Sequence, residues 1–214
     1  MQVQLILAHA DDETLGAGGT VRYLLSRGHE VRLIIVSDAV VTLRSQIDDN
    51  GPAWDQACDK LGLQHRAKLN FQDQRFETYP VAEIAHAIHQ ELDAPDLIIT
   101  HSDKDLNRDH RIVREAVNIV SRPRSRRVSV LACEIPAVAT WNQQPFAPNF
   151  YVGIEPYLPT KLEAFSCYGH ELREMPDPYS LEGLEHLAAF RGMESGYRYA
   201  EGFEVVRWFA ECSL

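Results

Sequence analysis

Residues 3 to 13 read Val3-Gln4-Leu5-Ile6-Leu7-Ala8-His9-Ala10-Asp11-Asp12-Glu13 and join two different hydrophobic patterns. Val3–Leu7 is short and apolar, which predicts a buried strand, whereas the apolar residues of Thr14–Arg27 recur at helical spacing. The loop between them carries one imidazole and three carboxylates. Carboxylates this close repel one another, and a divalent cation would neutralise them. The stretch therefore predicts a strand, a metal-binding loop and a helix.

Strand-like and helix-like runs alternate along the first two-thirds of the chain. The predicted strands are Val3–Leu7, Glu30–Val36, Asp96–Thr100 and Arg127–Cys133, and the predicted helices are Thr14–Arg27, Trp54–Leu61, Val81–Leu92 and Arg111–Val120. This alternation predicts an α/β fold with a mainly parallel, twisted sheet and helices on both faces.

The last third of the chain is less regular. Residues 136–159 are rich in proline, asparagine and aromatic side chains, which predicts loop with some edge strand. Two helices follow near Thr160–His170 and Leu181–Ser195, with a final strand around Phe203–Phe209. No linker or repeat divides the sequence, so residues 1–214 are predicted to form one domain.

Composition narrows the class of protein. The net charge of −10 disfavours a nucleic-acid partner, which would call for a basic surface. No apolar run approaches the roughly 18 residues of a membrane span and no signal-type segment is evident, so a cytoplasmic protein is expected. The sequence leaves open whether the chain forms a homo-oligomer. Four widely spaced cysteines predict reduced thiols and no zinc cluster: Cys58, Cys133, Cys167 and Cys212.

A second polar loop, residues 101–111, follows the predicted strand Asp96–Thr100. Ligands of parallel α/β sheets gather at the carboxyl ends of the strands, so the two loops meet if their strands are neighbours. A catalytic zinc takes about three protein ligands and keeps a position for water, and His9, Asp12 and His110 meet that requirement. Other first-row metals would also accept these ligands. The alternative is that Asp11 or Asp12, and Asp109, merely cap helices.

These residues resemble a known family. The run Ala8-His9-Ala10-Asp11-Asp12-Glu13-Thr14-Leu15-Gly16, followed by Gly18-Gly19-Thr20, is similar to the AHPDDE and Gly-Gly-Thr signature of the PIG-L (LmbE-like) N-deacetylases. Asp109-His110-Arg111 resembles the second motif of that family, and Arg191 to Glu204 its closing segment. The resemblance implies a Rossmann-like three-layer fold and zinc-dependent removal of an acetyl group from an amino sugar. It makes His9, Asp12 and His110 the metal ligands and Asp11 the general base.

The sequence departs from the family pattern at two positions. Ala10 replaces the usual proline, and Asn107 stands where many members have a histidine thought to stabilise the oxyanion or to protonate the leaving group. Asn107 can donate a hydrogen bond to an oxyanion, but it cannot shuttle a proton. Asp11, once protonated, is therefore the expected proton donor to the departing amine. His101 is a second candidate donor, with a solvated loop histidine as the alternative.

Several residues are candidates for substrate binding. Gly18 and Gly19 have little steric bulk, so a sugar or phosphate could approach the backbone there, although close helix packing explains them nearly as well. Arg44 lies where family members often carry an arginine that faces the substrate, and Asp73 closes a segment similar to the family pattern L-x-F-x-D. A surface arginine and a turn aspartate are the alternatives. The implied substrate is a small amino-sugar conjugate, either a cell-envelope or nucleotide-linked precursor or a thiol-glycoside or antibiotic intermediate.

Two other functions remain open. Clustered aspartates at a strand end also hold Mg²⁺ in phosphohydrolases, but Mg²⁺ prefers oxygen and two of the three candidate ligands are histidines. A non-catalytic sugar-binding module on the same fold would explain Asn107. The intact Asp11 counts against such a module, because a binding protein has little use for a free carboxylate beside a metal.

Overall fold

The computed structural model describes residues 1–41, 47–124, 126–136, 141 and 143–210. Within them the strands are β1 (Gln2–Leu7), β2 (Glu30–Ser37), β3 (Val40–Val41), β4 (Asp48–Asp49), β5 (His65–Phe71), β6 (Leu97–His101), β7 (Ser129–Cys133), β8 (Phe150–Gly153) and β9 (Ala200–Arg207). The helices are α1 (Asp12–Ser26), α2 (Gly51–Leu61), α3 (Val81–Glu91), α4 (Arg108–Val120), α5 (Leu158–Phe165) and α6 (Leu181–Ser195).

Seven of the strands form one sheet in the order β5-β2-β1-β6-β7-β9-β8. The first five strands in that order are parallel to one another, while β9 runs antiparallel to both of its neighbours. The predicted mainly parallel sheet is confirmed. Because β1 pairs directly with β6, the polar loops that follow these two strands leave the sheet at the same edge.

Helices cover both faces of the sheet, as the alternating pattern predicted. Successive side chains of a strand point to opposite faces, so Leu5 and Leu7 of β1 pack with α1, α2 and α5, while Ile6 packs with α3 and α4. Each face carries its own apolar cluster. The two clusters hold β1 and β6 in the middle of the sheet, which fixes the strand ends that carry the polar loops.

Three strands were not predicted, namely the two-residue strands β3 and β4 and the edge strand β5, and several boundaries differ. β5 lies at the edge of the sheet, and its side chains from Arg66 to Leu69 are only partly buried, so charged and apolar residues mix and no clear alternation marks the strand. The last strand begins at Ala200 instead of Phe203. The helix expected near Thr160–His170 ends earlier, at Phe165. β8 confirms the edge strand expected within residues 136–159.

None of the helices within the described residues is both long enough and apolar enough to span a membrane.

Candidate metal centre

The three predicted metal ligands come together at the carboxyl edge of β1 and β6. His9 Nδ1 lies 3.2 Å from His110 Nε2, and Asp12 supplies oxygens 3.4 Å from His110 Nε2 and 3.7 Å from His9 Nδ1. All three side chains are buried. Ligand atoms about 2.0–2.1 Å from a tetrahedral zinc lie roughly 3.3 Å apart. The donor atoms of His9, Asp12 and His110 all lie within 4.8 Å of one another. Their spacing therefore fits a cation of the size of zinc.

The opposite nitrogen of each histidine is held by a carboxylate. His9 Nε2 lies 3.1 Å from Asp109 Oδ2, and His110 Nδ1 lies 2.9 Å from Asp105 Oδ2. Asp109 also accepts a hydrogen bond from the Phe76 N–H, so its carboxylate is fixed in turn. Carboxylates that accept a hydrogen bond from a ligating histidine fix its tautomer and ring orientation. This arrangement leaves His9 Nδ1 and His110 Nε2 as the atoms free to bind a cation.

Asn107, and not Asp109, caps helix α4. Its side-chain oxygen accepts a hydrogen bond from the Asp109 N–H at 2.9 Å. The alternative interpretation of Asp109 as a cap is therefore wrong. Because the oxygen of Asn107 serves the helix, its amide NH₂ remains as a donor, and the residue lies on the wall of the cavity in front of the candidate ligands.

Asp11 has an unusual backbone conformation. Its φ is 108° and its ψ is −32°, a region that side-chain-bearing residues rarely adopt and that costs about 1–3 kcal/mol. The Asp11 side chain makes no capping hydrogen bond to α1, and Asp12 accepts instead from the His9 N–H at 2.7 Å. The interpretation of these aspartates as helix caps therefore does not explain them. Asp11 lines the same cavity as the three candidate ligands.

The clustered charges shift the proton affinities of the site. Burial disfavours a charged His9, but the hydrogen bond to Asp109 and the nearby carboxylates outweigh burial and raise the pKa of His9 to about 9. Burial, together with the charges of Asp12 and Glu171, raises the pKa of Asp11 well above its ordinary value. The pKa of Asp12 is lowered despite its burial, because His110, His101 and His9 stabilise its charge. Two neighbouring carboxyl groups thus differ widely in proton affinity, which is typical of sites for acid–base chemistry.

A cavity of about 290 Å³ opens in front of the three candidate ligands. Ten of the thirteen residues that line it have polar side chains, so the wall presents many hydrogen-bonding groups. The lining residues are His9, Ala10, Asp11, Asp12, Ala39, Val41, Asn50, Asp73, Gln74, Asn107, His110, Glu171 and Tyr179.

The chain is also similar to known proteins. Residues 4–121, more than half of the chain, match the family model of PIG-L, described as GlcNAc-PI de-N-acetylase. The chain belongs to the PIG-L family. Among its relatives is the diacetylchitobiose deacetylase of Thermococcus kodakarensis, which is 27% identical over 229 residues, covering 96% of this chain and 83% of the relative.

Solved structures also share the fold of this PIG-L chain. A conserved protein from Thermus thermophilus is 19% identical with a TM-score of 0.76, covering 99% of this chain and 97% of its own. GalB, the 4-carboxy-2-hydroxymuconate hydratase of Pseudomonas putida KT2440, is 20% identical with a TM-score of 0.70 and covers 100% of both chains. At such identities the likeness establishes the fold alone. One fold can host several reactions, so the site residues must carry the argument about activity.

Three of the predicted site residues lie away from the cavity of this PIG-L chain. His101 is fully buried behind His110, on which its ring stacks at 3.9 Å between centroids, and its Nε2 accepts the Ala8 N–H. Gly18 and Gly19 face the interior side of α1. A Cβ on Gly19 would lie 2.7 Å from Ile154 Cγ2, so close packing accounts for this glycine. None of these three residues lines the cavity, and Arg44 lies outside the described residues.

Sequence reasoning missed other residues of the cavity wall. Asn50 and Glu171 are joined by a hydrogen bond of 3.2 Å across 121 residues of sequence, and Tyr179 lines the same cavity. Gln74 Nε2 lies 3.2 Å from His9 Nε2. No local motif surrounds these residues in the sequence. The one available signal was the L-x-F-x-D segment, which ends at Asp73, directly before Gln74.

Proposed function

We propose that this protein is a metal-dependent hydrolase that removes an N-acetyl group from an amino sugar or its conjugate. The observation that carries the proposal is the His9, Asp12 and His110 donor set, with both histidines oriented by carboxylates and with Asp11 on the same cavity. Membership of the PIG-L family and a deacetylase among the relatives support it. We propose zinc as the metal, because the donor set mixes imidazole nitrogen with carboxylate oxygen.

His9, Asp12 and His110 would hold the cation. When bound, a divalent metal ion polarises a carbonyl oxygen and lowers the pKa of water from 15.7 to about 7. Asp105 and Asp109 contact the other nitrogen of His110 and of His9, so both rings are held in place before a cation binds. In the neutral form of each ring, the single N–H points at one of these carboxylates, which leaves the nitrogen that faces the cavity with its lone pair for the cation.

Asp11 acts in this proposal as general base and then as general acid. Its carboxylate removes a proton from the attacking water as the new carbon–oxygen bond forms at the acyl carbon. When the carbon–nitrogen bond breaks, Asp11 returns that proton to the nitrogen, which leaves as the free amine, and acetate remains. The raised pKa of Asp11 suits the second step, because a carboxyl group with higher proton affinity holds the proton until the carbon–nitrogen bond breaks.

Asn107 would stabilise the oxyanion of the tetrahedral intermediate. Its side-chain oxygen is engaged at the start of α4, which orients the amide NH₂ as a donor at the cavity. Losing one oxyanion donor typically lowers kcat by about 10²–10³. Because an amide has no proton to release to the amine, the substitution of the family histidine by Asn107 leaves both proton transfers to Asp11.

The two alternatives make different demands on the site. A phosphohydrolase that uses Mg²⁺ would present an oxygen-rich ligand set, whereas two of the three donors here are imidazoles. A non-catalytic sugar-binding module would not need a strained Asp11 with a raised pKa beside the ligands. Both observations favour the hydrolase.

A substrate panel tests the proposal. The purified protein, reconstituted with zinc, is incubated with N-acetylglucosamine conjugates and, separately, with sugar phosphates, while acetate and phosphate release are measured. We expect acetate release that depends on zinc and no phosphate release. Release of phosphate would support the phosphohydrolase, and binding of the sugars without any release would support the binding module.

A further inference from the structure

The strained backbone of Asp11 is held by the residue two positions further on. The Asp11 N–H donates a hydrogen bond to Glu13 Oε2 at 3.2 Å, across the bend that opens α1. Glu13 is fully buried and does not line the cavity. Its carboxylate therefore cannot touch a substrate in the cavity, yet it fixes the peptide plane from which the Asp11 side chain projects.

The other oxygen of Glu13 is fixed from a distant part of the chain. Tyr168, in the turn after α5, donates its hydroxyl proton to Glu13 Oε1 at 2.5 Å, and its ring is fully buried. A short hydrogen bond to a carboxylate holds the acceptor strongly. The contact spans 155 residues of sequence, so it joins the start of α1 to the C-terminal third of the molecule.

We infer that Glu13 and Tyr168 are positioning residues that hold the Asp11 carboxylate at its catalytic place. The hydroxyl of Tyr168 restricts the rotation of Glu13, and Glu13 in turn restrains the Asp11 peptide in a conformation that it would otherwise leave. The inference rests on the proposed function, because it matters only if Asp11 transfers protons. It adds Tyr168, a residue remote in sequence that acts on Glu13 through its hydroxyl group.

Tyr168 also fills space in the core, and the test must separate this from positioning. Tyr168→Phe keeps the ring and removes only the hydroxyl. Tyr199→Phe is a matched control, because the Tyr199 hydroxyl donates to Glu185 of α6 at 2.9 Å, a tyrosine–glutamate contact away from the cavity. Four proteins are compared with wild type: Tyr168→Phe, Asp11→Asn, the double variant and Tyr199→Phe.

Steady-state kinetics of acetate release and zinc content are the readouts. A displacement of about 1 Å in a catalytic group can cost roughly 10²-fold, so Tyr168→Phe should lower kcat by about tenfold or more. KM and zinc content should stay within about twofold of wild type, since ligand and substrate contacts are unchanged. In the double variant, kcat should equal that of Asp11→Asn, because positioning has no effect once the base is gone.

Each contrary result identifies what is wrong. Unchanged kcat in Tyr168→Phe, an additional loss in the double variant, a loss of zinc or an equal loss in Tyr199→Phe would overturn the positioning role alone. Wild-type kcat in Asp11→Asn would instead overturn the proposed general base, and the inference would fall with it.

Discussion

Asp109→Asn should weaken zinc binding by changing the tautomer of His9. In the native protein one oxygen of Asp109 accepts the Phe76 N–H at 3.1 Å and the other lies 3.1 Å from His9 Nε2. Asparagine has a single oxygen, which the Phe76 N–H retains, so its NH₂ would face His9. The His9 Nε2 must then accept a hydrogen bond, which moves the ring proton to Nδ1, the atom that faces Asp12 and His110.

The expected loss follows from the role of that hydrogen bond. Replacing the outer partner of a metal-bound histidine typically lowers metal affinity by about 10–100-fold, which corresponds to about 1.4–2.8 kcal/mol. Asp73→Asn is the control. Asp73 also raises the pKa of His9, but through its charge and not through a hydrogen bond. Both variants remove one negative charge, so the difference between them isolates the effect of the hydrogen bond.

Zinc dissociation constants can be measured by competition with a chromogenic chelator, with thermal unfolding to confirm that each variant is folded. We expect Asp109→Asn to lose about 10–100-fold in affinity and Asp73→Asn to lose clearly less. An affinity of Asp109→Asn within twofold of wild type, or a loss no larger than that of Asp73→Asn, would refute the reasoning.

Three further experiments test the role of Asn107, the buried ion pair of Lys161 and the effect of the metal on stability. Asn107→Ser should keep the cap of α4 and its stability but lower kcat by about 10²–10³; unchanged kcat would leave Asn107 with a capping role only. Lys161→Met should lower the free energy of unfolding, measured in urea, by about 3–5 kcal/mol, because it leaves the buried Glu201 without its cation. Arg198→Met removes the cation of an exposed pair with Glu155 and should cost less than about 1 kcal/mol. Equal losses in the two variants would contradict this expectation. Removal of the metal with a chelator should lower the melting temperature reversibly. Free zinc at about 100 times its Kd should then raise the free energy of unfolding by about 2.7 kcal/mol. The same melting temperature with and without zinc would argue against a bound metal.

The sequence could predict the centre of this fold because its pattern is local. β1, β6 and the helices that follow them show strong apolar runs or helical periodicity, and their polar loops follow directly at the strand ends. β5 was missed because an edge strand is half exposed and mixes charged with apolar residues. The hydrophobic pattern weakens where a strand packs on fewer neighbours.

The candidate site was predictable where its residues lie in motifs and not where distant segments meet. His9, Asp12 and His110 were identified from two loops, and the structure brings them together. Glu171 lines the cavity and Tyr168 contacts Glu13, both from the C-terminal third of the chain, and these contacts depend on how α5 packs against α1 and α2. For Gly18 and Gly19 the sequence left substrate approach and close packing open, since a glycine-rich stretch looks alike in both cases, and the structure places neighbouring side chains against them.

Zinc content and acetate release, measured together on wild type and Asp11→Asn, test the central claim most directly. Our account predicts stoichiometric zinc in both proteins and a kcat in the variant that is lower by about 10²–10⁴, the usual contribution of a general acid–base group. Asp11→Asn that releases acetate at the wild-type rate, or a wild-type protein that binds no transition metal after reconstitution, would contradict it.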